Sequence, residues 1–338
     1  MSSLHPVSGT AAEVLALLRD WDAADDPPPL AVETSGSTGH PKRVLLSRGA
    51  MRASADATHR RLGGPGQWLL NLPPGYVAGL QVLFRSVRAG TDPVVENGSF
   101  EEAVAAMTGE RRYVSVVPTQ LVRLLGSGLL RSFDTVLVGG ARLDPALRAR
   151  AADEGVRVVA TYGMSETCGG CVYDGRPLDG VGIKVGADAR VRIGGPVLFD
   201  GYDGQPDLTA QVVERGWFVT QDLGEIDHDG LLRVTGRVDD VVITGGVNVP
   251  AHTVAERLRS HPEVRDATVL GVPDDEWGQA VTAVVVGEVG LDDLRDWVAA
   301  AHPRSWAPRR LVSVPALPLL ANGKVDRLAV ERLAEPER

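Results

Sequence analysis

Residues 34–42 read Thr34-Ser35-Gly36-Ser37-Thr38-Gly39-His40-Pro41-Lys42, a turn that gathers four hydroxyls, two glycines and a lysine. Such a loop can wrap phosphates. Glycines let the backbone come close, N–H and O–H groups donate to phosphate oxygens, and the lysine adds a compact positive charge. The GxxxxGK[ST] spacing of a Walker loop is absent, and by small-residue content alone the same string also describes a flexible Ser/Gly turn. Lysine is scarce: Lys42, Lys184 and Lys324 are the only ones among 35 cationic residues. Because arginine cannot replace a point-like ammonium everywhere, each lysine marks a position to inspect. Lys184, alternating with apolar residues in VGIKVGADARVRI, reads as an exposed strand residue without a function.

Further strings could do chemistry. Tyr162-Gly163-Met164-Ser165-Glu166-Thr167 combines an aromatic ring, a hydroxyl and a carboxylate; taken singly, these also describe a core edge and a solvated charge. Thr220-Gln221-Asp222-Leu223-Gly224 carries a carboxylate whose two acceptor oxygens suit a vicinal diol, or simply a turn aspartate. Gly236-Arg237-Val238-Asp239-Asp240 reads equally as a charged linker, and Gly245-Gly246-Val247-Asn248 as a glycine turn. Asn322-Gly323-Lys324-Val325-Asp326 is a tight turn bearing a lysine. The stretch 302–310 concentrates arginines able to meet phosphates or to lie solvated. Cys168-Gly169-Gly170-Cys171 has C-x-x-C spacing. We read it first as a plain run of small residues, with redox or metal chemistry as the rival.

These residues must be held by folded elements. Residues 11–21 have helical apolar spacing, and Leu30–Thr34 reads as a strand running directly into the first loop. Apolar runs at Trp68–Leu72, Tyr113–Val117, Thr135–Val138 and Arg157–Thr161 alternate with helical stretches, the pattern of a mostly parallel sheet that binds ligand at the carboxyl ends of its strands. Short strands broken by Gly, Asp and Pro between about 174 and 235 predict a small β-rich subdomain. Beyond it, a helix at Val254–Ser260, strands at Ala267–Val272 and Ala280–Val286, a helix at Leu291–Ala301 and a basic end predict a compact α+β unit.

The ordered T-S-G-S-T-G-x-P-K string resembles the phosphate loop of the adenylate-forming superfamily, which includes acyl-CoA synthetases, luciferase and peptide-synthetase adenylation domains. The remaining strings follow in that family's order. The resemblance implies an α/β fold with a large N-terminal domain over residues 1–238, of mostly parallel sheets plus the β-rich subdomain, and a small mobile C-terminal α+β domain over 239–338. It implies ATP binding by Thr34, Ser35, Gly36, Ser37, Thr38, Gly39 and Lys42, by Gly140 and Ala141, by Tyr162 against adenine, by Gly163 and Ser165, by Asp222 on the ribose and by Arg237. Glu166 would hold Mg2+, and Lys324, with Glu166 and Arg237, would be catalytic. The acid would lie among Tyr76, Val77, Gly139, Gly163, Gly169 and Gly170. Asp239 would be the hinge, with Gly245 and Gly246 lining the passage for coenzyme A.

The combination of L-P-P-x-x-V-A-G-L-Q-V-L-F-R-S with Y-G-M-S-E-T-C-G-G-C-V-Y-D-G is similar to actinobacterial o-succinylbenzoate-CoA ligases of menaquinone biosynthesis. Tyr76 stands where those ligases carry a gate histidine; it can stack and donate, but it carries no positive charge. Only 33 residues precede Thr34, so the large domain is expected to be trimmed relative to familiar members. Adenylation for another acid or for a non-CoA acceptor, and a nucleotide binder without turnover, remain open at this point.

Composition narrows the classes. The chain has 338 residues, 43% hydrophobic and 23% charged, enough for a sizeable core in two units. A net charge of −9 gives no general attraction for nucleic acid or an anionic membrane. With two cysteines, no long apolar run and no secretion-type start, a cytoplasmic enzyme acting on small molecules is expected, without membrane insertion.

Overall fold

The computed structural model describes residues 6–34, 42–320 and 325–335. The chain opens with α1 (Ala11–Ala23), β1 (Leu30–Thr34), β2 (Lys42–Leu46) and α2 (Arg48–Leu62). Then come β3 (Gln67–Leu70), α3 (Val77–Ala89), β4 (Val94–Val95), α4 (Phe100–Ala105) and β5 (Arg112–Val116). α5 (Pro118–Leu124), β6 (Thr135–Val138), α6 (Pro145–Asp153), β7 (Val158–Met164), β8 (Gly169–Tyr173) and β9 (Arg176–Pro177) follow. Strands β3 to β9 make one seven-stranded sheet in the order β4-β3-β5-β6-β7-β8-β9. The segment β4 to β7 is parallel, and β8 and β9 turn back antiparallel.

Parallel strands covered on both faces need continuous apolar runs. β6 supplies one, with all four residues of Thr-Val-Leu-Val buried. One apolar cluster packs Trp68, Leu80, Leu83, Phe84 and Tyr113 around α2 and α3; another packs Leu69, Val114, Val136 and Leu130 on the opposite face. Because β3, β6 and β7 are parallel, the loops leaving their carboxyl ends emerge at the same edge. Those loops carry Tyr76, Gly139 to Ala141 and, at the end of β7 itself, Tyr162 and Gly163. Asp144 anchors the middle loop by capping α6, its Oδ1 accepting from Ala146 N at 2.7 Å and Leu147 N at 3.2 Å ahead of Pro145.

The β-rich stretch contains β10 (Gly182–Val185), β11 (Arg190–Gly194), β12 (Gly201–Tyr202), α7 (Pro206–Val212), β13 (Val213–Glu214), β14 (Trp217–Ile226) and β15 (Leu232–Arg237). All of these strands but β12 join one antiparallel sheet in which β14 pairs with β11, β13 and β15. β12 instead completes a small sheet with β1 and β2, a pairing the sequence reading did not include.

The remainder forms β16 (Val241–Thr244), β17 (Val247–Pro250), α8 (Ala251–Arg259), β18 (Val264–Asp274), β19 (Gly278–Gly287), α9 (Leu291–Ala299), β20 (Arg310–Ser313) and α10 (Arg327–Ala334). β18, β19 and β20 make a sheet, and β16 with β17 a hairpin. The sequence reading had placed the two central strands and both helices but missed the hairpin, β20 and α10. Apolar clusters here draw only on residues from Val242 onward, whereas the other clusters end by Val234. Burial is therefore organised in separate cores on either side of the Gly236–Asp240 segment.

Candidate active site

Thr34 and Lys42 close the two ends of the first loop as facing residues of β1 and β2, and Thr34 Oγ1 donates to the Lys42 carbonyl at 3.3 Å. Ser35, Gly36, Ser37, Thr38 and Gly39 lie outside the described residues. The Lys42 ammonium sits 5.3 Å from the centroid of the Tyr202 ring. The Tyr202 hydroxyl in turn donates to Glu166 Oε1 at 2.9 Å. Burial and the Glu166 carboxylate both push the Tyr202 hydroxyl far above the usual phenol range, so it stays a donor. β12 thus links Lys42 to Glu166, the residues expected at phosphate and magnesium. No motif announced Tyr202; the only signal was an aromatic at the end of a Gly-rich strand.

The second focus is Asp222. Tyr162 donates its hydroxyl to Asp222 Oδ2 at 2.6 Å, and Arg237 Nη1 donates to Oδ1 at 3.0 Å. The Arg237 contact follows from register, since Asp222 and Arg237 face each other across β14 and β15. Burial, and then the Asp222 charge, raise the Tyr162 hydroxyl well above its ordinary range. Arg237 also forks onto Asp239, Nε to Oδ1 at 2.8 Å and Nη2 to Oδ2 at 2.9 Å. Burial works against the Arg237 charge, but Asp239 and Asp222 more than restore it. A carboxylate offers about four lone-pair directions, so Asp222 with two donors in place retains acceptors for a diol.

A third group surrounds the end of β7. A side chain on Gly163 would put its Cβ 2.1 Å from the Gly169 carbonyl, so β7 and β8 can meet here only with glycine. Gly139 and Gly170 both abut the Thr161 side chain, and Gly169 faces Val77 and Gln81. The residues expected at the acid are therefore brought together, with Tyr76 preceding Val77 at the start of α3. Val77, Gln81 and Arg85 share one face of α3, spaced one turn apart. Arg85 is fully buried, its guanidinium 5.0 Å from the Trp68 ring centroid and 3.5 Å from the Tyr173 hydroxyl, with no carboxylate among the partners shown. Sequence reasoning missed this cation, because helical spacing by itself reads Arg85 as exposed.

Gly140 adopts φ 83° in the loop after β6, beside Ala141. Ser165 and Glu166 occupy a short 3-10 turn, where the Ser165 carbonyl accepts from Cys168 N at 3.1 Å. Cys168 and Cys171 are buried free thiols. Burial pushes the Cys171 thiol up to about 12 and the Cys168 thiol higher still, which disfavours the thiolate that redox chemistry requires. Among the described residues no set of three or more His, Cys, Asp or Glu could hold a metal. A magnesium ion shared between one carboxylate, here Glu166, and substrate phosphates needs no such cage, and the residues fit that mode.

Gly245, at φ 55°, turns the β16–β17 hairpin, and a Cβ there would strike the Trp277 ring at 2.7 Å. Gly246 beside it faces open space. Trp277 also carries the Arg309 guanidinium 3.5 Å from its ring centroid. The other arginines of the 302–310 stretch pair with acids, Arg304 with Asp296 at 3.2 Å and Arg310 with Asp274 at 2.5 Å. Lys324 lies outside the described residues; Arg327, three positions on, contacts Asp240 and lies 4.0 Å from Asp239.

Two surface cavities stand out among the described residues. The larger, about 460 Å3, lies on the β-rich subdomain between Lys184, Arg192, Arg215 and Trp217 and contains none of the residues discussed as a site. Lys184 rests 3.9 Å over the Trp217 ring there, which gives it a structural role. The smaller, about 210 Å3, borders Arg237, Asp240, Leu223 and His252 and is the one that adjoins the Asp222 cluster.

Comparison with known proteins follows the same outline. Residues 26–202 match the family model described as AMP-binding enzyme, and residues 253–324 match the AMP-binding enzyme C-terminal domain. A relative in Mycobacterium tuberculosis, described as a probable 2-succinylbenzoate–CoA ligase, is 44% identical over 94% of this chain and 88% of its own. The o-succinylbenzoate CoA synthetase of Bacillus subtilis, solved with the acyl-adenylate intermediate OSB-AMP, superposes with a TM-score of 0.80 at 28% identity, covering 91% of this chain and 69% of that one. The same synthetase has been solved with ATP and a magnesium ion, with a TM-score of 0.78. An amide bond synthetase from Marinactinospora thermotolerans gives a TM-score of 0.79 at 29% identity over 90% of this chain and 69% of that one.

Proposed function

Because the chain belongs to the AMP-binding enzyme family, we propose that it uses ATP to join a carboxylic acid, 2-succinylbenzoate, to coenzyme A in menaquinone biosynthesis. The observation that carries the reading is the meeting of Tyr162, Asp222 and Arg237 at the carboxyl edge of the main sheet. It supplies a stacking ring, a diol acceptor and a phosphate-side cation in one place. The mycobacterial and Bacillus proteins support the acid and the thiol acceptor.

In the first half-reaction the acid's carboxylate oxygen forms a bond to the α-phosphorus of ATP and the bond to pyrophosphate breaks. Lys42 and the phosphate loop orient the β- and γ-phosphates, Asp222 fixes the ribose, and Lys324 meets the charge that develops at the α-phosphate. Magnesium held by Glu166 would neutralise phosphate charge; Tyr202 keeps that carboxylate aimed. In the second half-reaction the thiol attacks the acyl carbon, a thioester forms, AMP leaves and the thiol proton passes to solvent. We place the division between a large unit and a small unit at Val238–Asp239, with Asp239 as the hinge, supported by the separate cores on either side. Turning the small unit would withdraw Lys324 and bring the Gly245–Gly246 hairpin, backed by Trp277, to the thiol's path. A cytoplasmic setting suits these substrates.

The acid has two carboxylates, one activated and one retained. The buried Arg85, one turn past Gln81 on the face of α3 that carries Val77, has no carboxylate among the partners shown, which supports a dicarboxylic substrate. The amide bond synthetase marks the competing acceptor, an amine in place of a thiol.

Pyrophosphate release from ATP and magnesium, measured across a panel of acids with and without coenzyme A, tests the reading. Release dependent on 2-succinylbenzoate, with its CoA thioester as product, is expected. Release with other acids only would discard the substrate and keep the chemistry; an amide product, or none with any acid, would discard the ligase reading. Lys324→Ala should suppress adenylate formation and spare thioester formation from supplied acyl-AMP.

A further inference from the structure

Arg142 leaves the loop that follows β6, directly after Gly139, Gly140 and Ala141, and its Nη1 lies 2.5 Å from Glu256 Oε1 on α8. Glu256 also faces His252 Nε2 at 3.4 Å, one turn earlier on the same helix. Burial opposes ionisation of Glu256, but His252 and Arg142 together hold its carboxyl below the ordinary range. The first turn of α8, at His252 and Thr253, walls the cavity of about 210 Å3 whose other side is Arg237 and Leu223. The nucleotide-side loop and the small unit are thus joined by one charged contact beside the Asp222 cluster. Both ends are well placed for the task. The Arg142 loop is fixed by the Asp144 cap on α6, and α8 continues directly from the hairpin that carries Gly245 and Gly246.

We propose that Arg142 and Glu256 are a positioning pair that holds the small unit in one of the two arrangements the half-reactions require, and so sets their relative rates. This rests on the two-step ligase reading. The pair touches neither reacting atom; it acts by stabilising one docking of α8 over the other. Side-chain exposures of 52% for Arg142 and 32% for Glu256 make it a tether weak enough to release in each cycle.

The test measures adenylate formation, by ATP–pyrophosphate exchange, and thioester formation from synthetic acyl-AMP, in Arg142→Glu, Glu256→Arg and the double reversal. Each single reversal should change the ratio of the two rates by about two- to fivefold, the range of a half-exposed ion pair, and the double reversal should bring it back. A second measurement joins the two thiols of an Arg142→Cys, Glu256→Cys double variant with a short bismaleimide, scored by mass before any assay. Cys168 and Cys171 are fully buried and stay unlabelled. The linked protein should keep one half-reaction and lose at least tenfold in the other. An unchanged rate ratio in the reversals, or a linked protein that runs both half-reactions or neither, overturns the proposal. Failure of the ligase reading is separate, since the unmodified protein would then show no exchange with any acid or form no CoA thioester from acyl-AMP.

Discussion

Replacing Asp222 by Asn tests the proposed ribose contact, because the amide keeps the shape while removing the charge and turning one acceptor oxygen into a donor. The carboxylate accepts from Tyr162 at 2.6 Å and from Arg237 at 3.0 Å, and its side chain is 10% exposed. Asparagine can keep both contacts by turning its amide nitrogen to the Tyr162 oxygen and its carbonyl to Arg237. What is lost is the difference between charge-assisted and neutral hydrogen bonds, about half their strength, or roughly 1–2 kcal/mol of folding stability. The ribose loses more, since a diol donating to a carboxylate is reduced to donating to one neutral carbonyl already engaged by Arg237. Loss of about 1.5–3 kcal/mol there corresponds to a rise of about 10- to 150-fold in the KM for ATP. Urea unfolding and ATP–pyrophosphate exchange at saturating acid separate the two effects. A lowered midpoint with the ATP KM within twofold of the parent would make Asp222 a structural residue and refute its assignment to the ribose; a rise confined to the KM for the acid would do the same.

Gly163→Ala should cost about 1–3 kcal/mol or more, because its Cβ would meet a backbone carbonyl at 2.1 Å, and both half-reactions should fall with the β7–β8 packing; a thermal midpoint equal to the parent's would contradict this. A thiol reagent at pH 8 should label neither Cys168 nor Cys171 in the native protein and both in denaturant, since both are buried with raised thiol values; rapid native labelling would reopen thiol chemistry. His59 is buried with no partner shown for Nε2; burial, and then Arg85, hold its imidazole down to about 4. The folded state therefore binds this proton less readily than the unfolded chain, so the associated stability is complete above about pH 6.5 and is lost as pH falls toward 4, by about 2–3 kcal/mol. His59→Leu should flatten that part of the pH–stability curve, and an unchanged slope would show that His59 is not its source.

The chemistry was legible in short strings taken as a series. The 34–42 loop, the Tyr162 to Thr167 turn and the Gly236 to Asp240 segment each had an ordinary reading taken singly, and it was their order along the chain that pointed to the family. Strand positions in the main sheet were legible because a strand buried on both faces must be apolar throughout, as β6 is. The β16–β17 hairpin and α10 escaped notice for the opposite reason: they are short, and their apolar positions are too few to establish a period. The C-x-x-C string, whose spacing left thiol chemistry as the rival to a plain run of small residues, is buried at both thiols, which disfavours that rival.

By itself, then, the sequence determined the family, the order of its motifs and the reaction they imply, because those depend on local backbone and on residue chemistry. Partners were decided only by the tertiary structure. Tyr202 reaches Glu166 from 36 positions away through the pairing of β12 with β2, Arg237 reaches Asp222 through the register of β14 and β15, and Arg142 reaches Glu256 by the docking of α8. Arg85 becomes a buried cation only when α3 lays its Val77–Gln81–Arg85 face against the sheet. Registers and helix packing are fixed by the whole apolar core, and no window of a few residues contains that information.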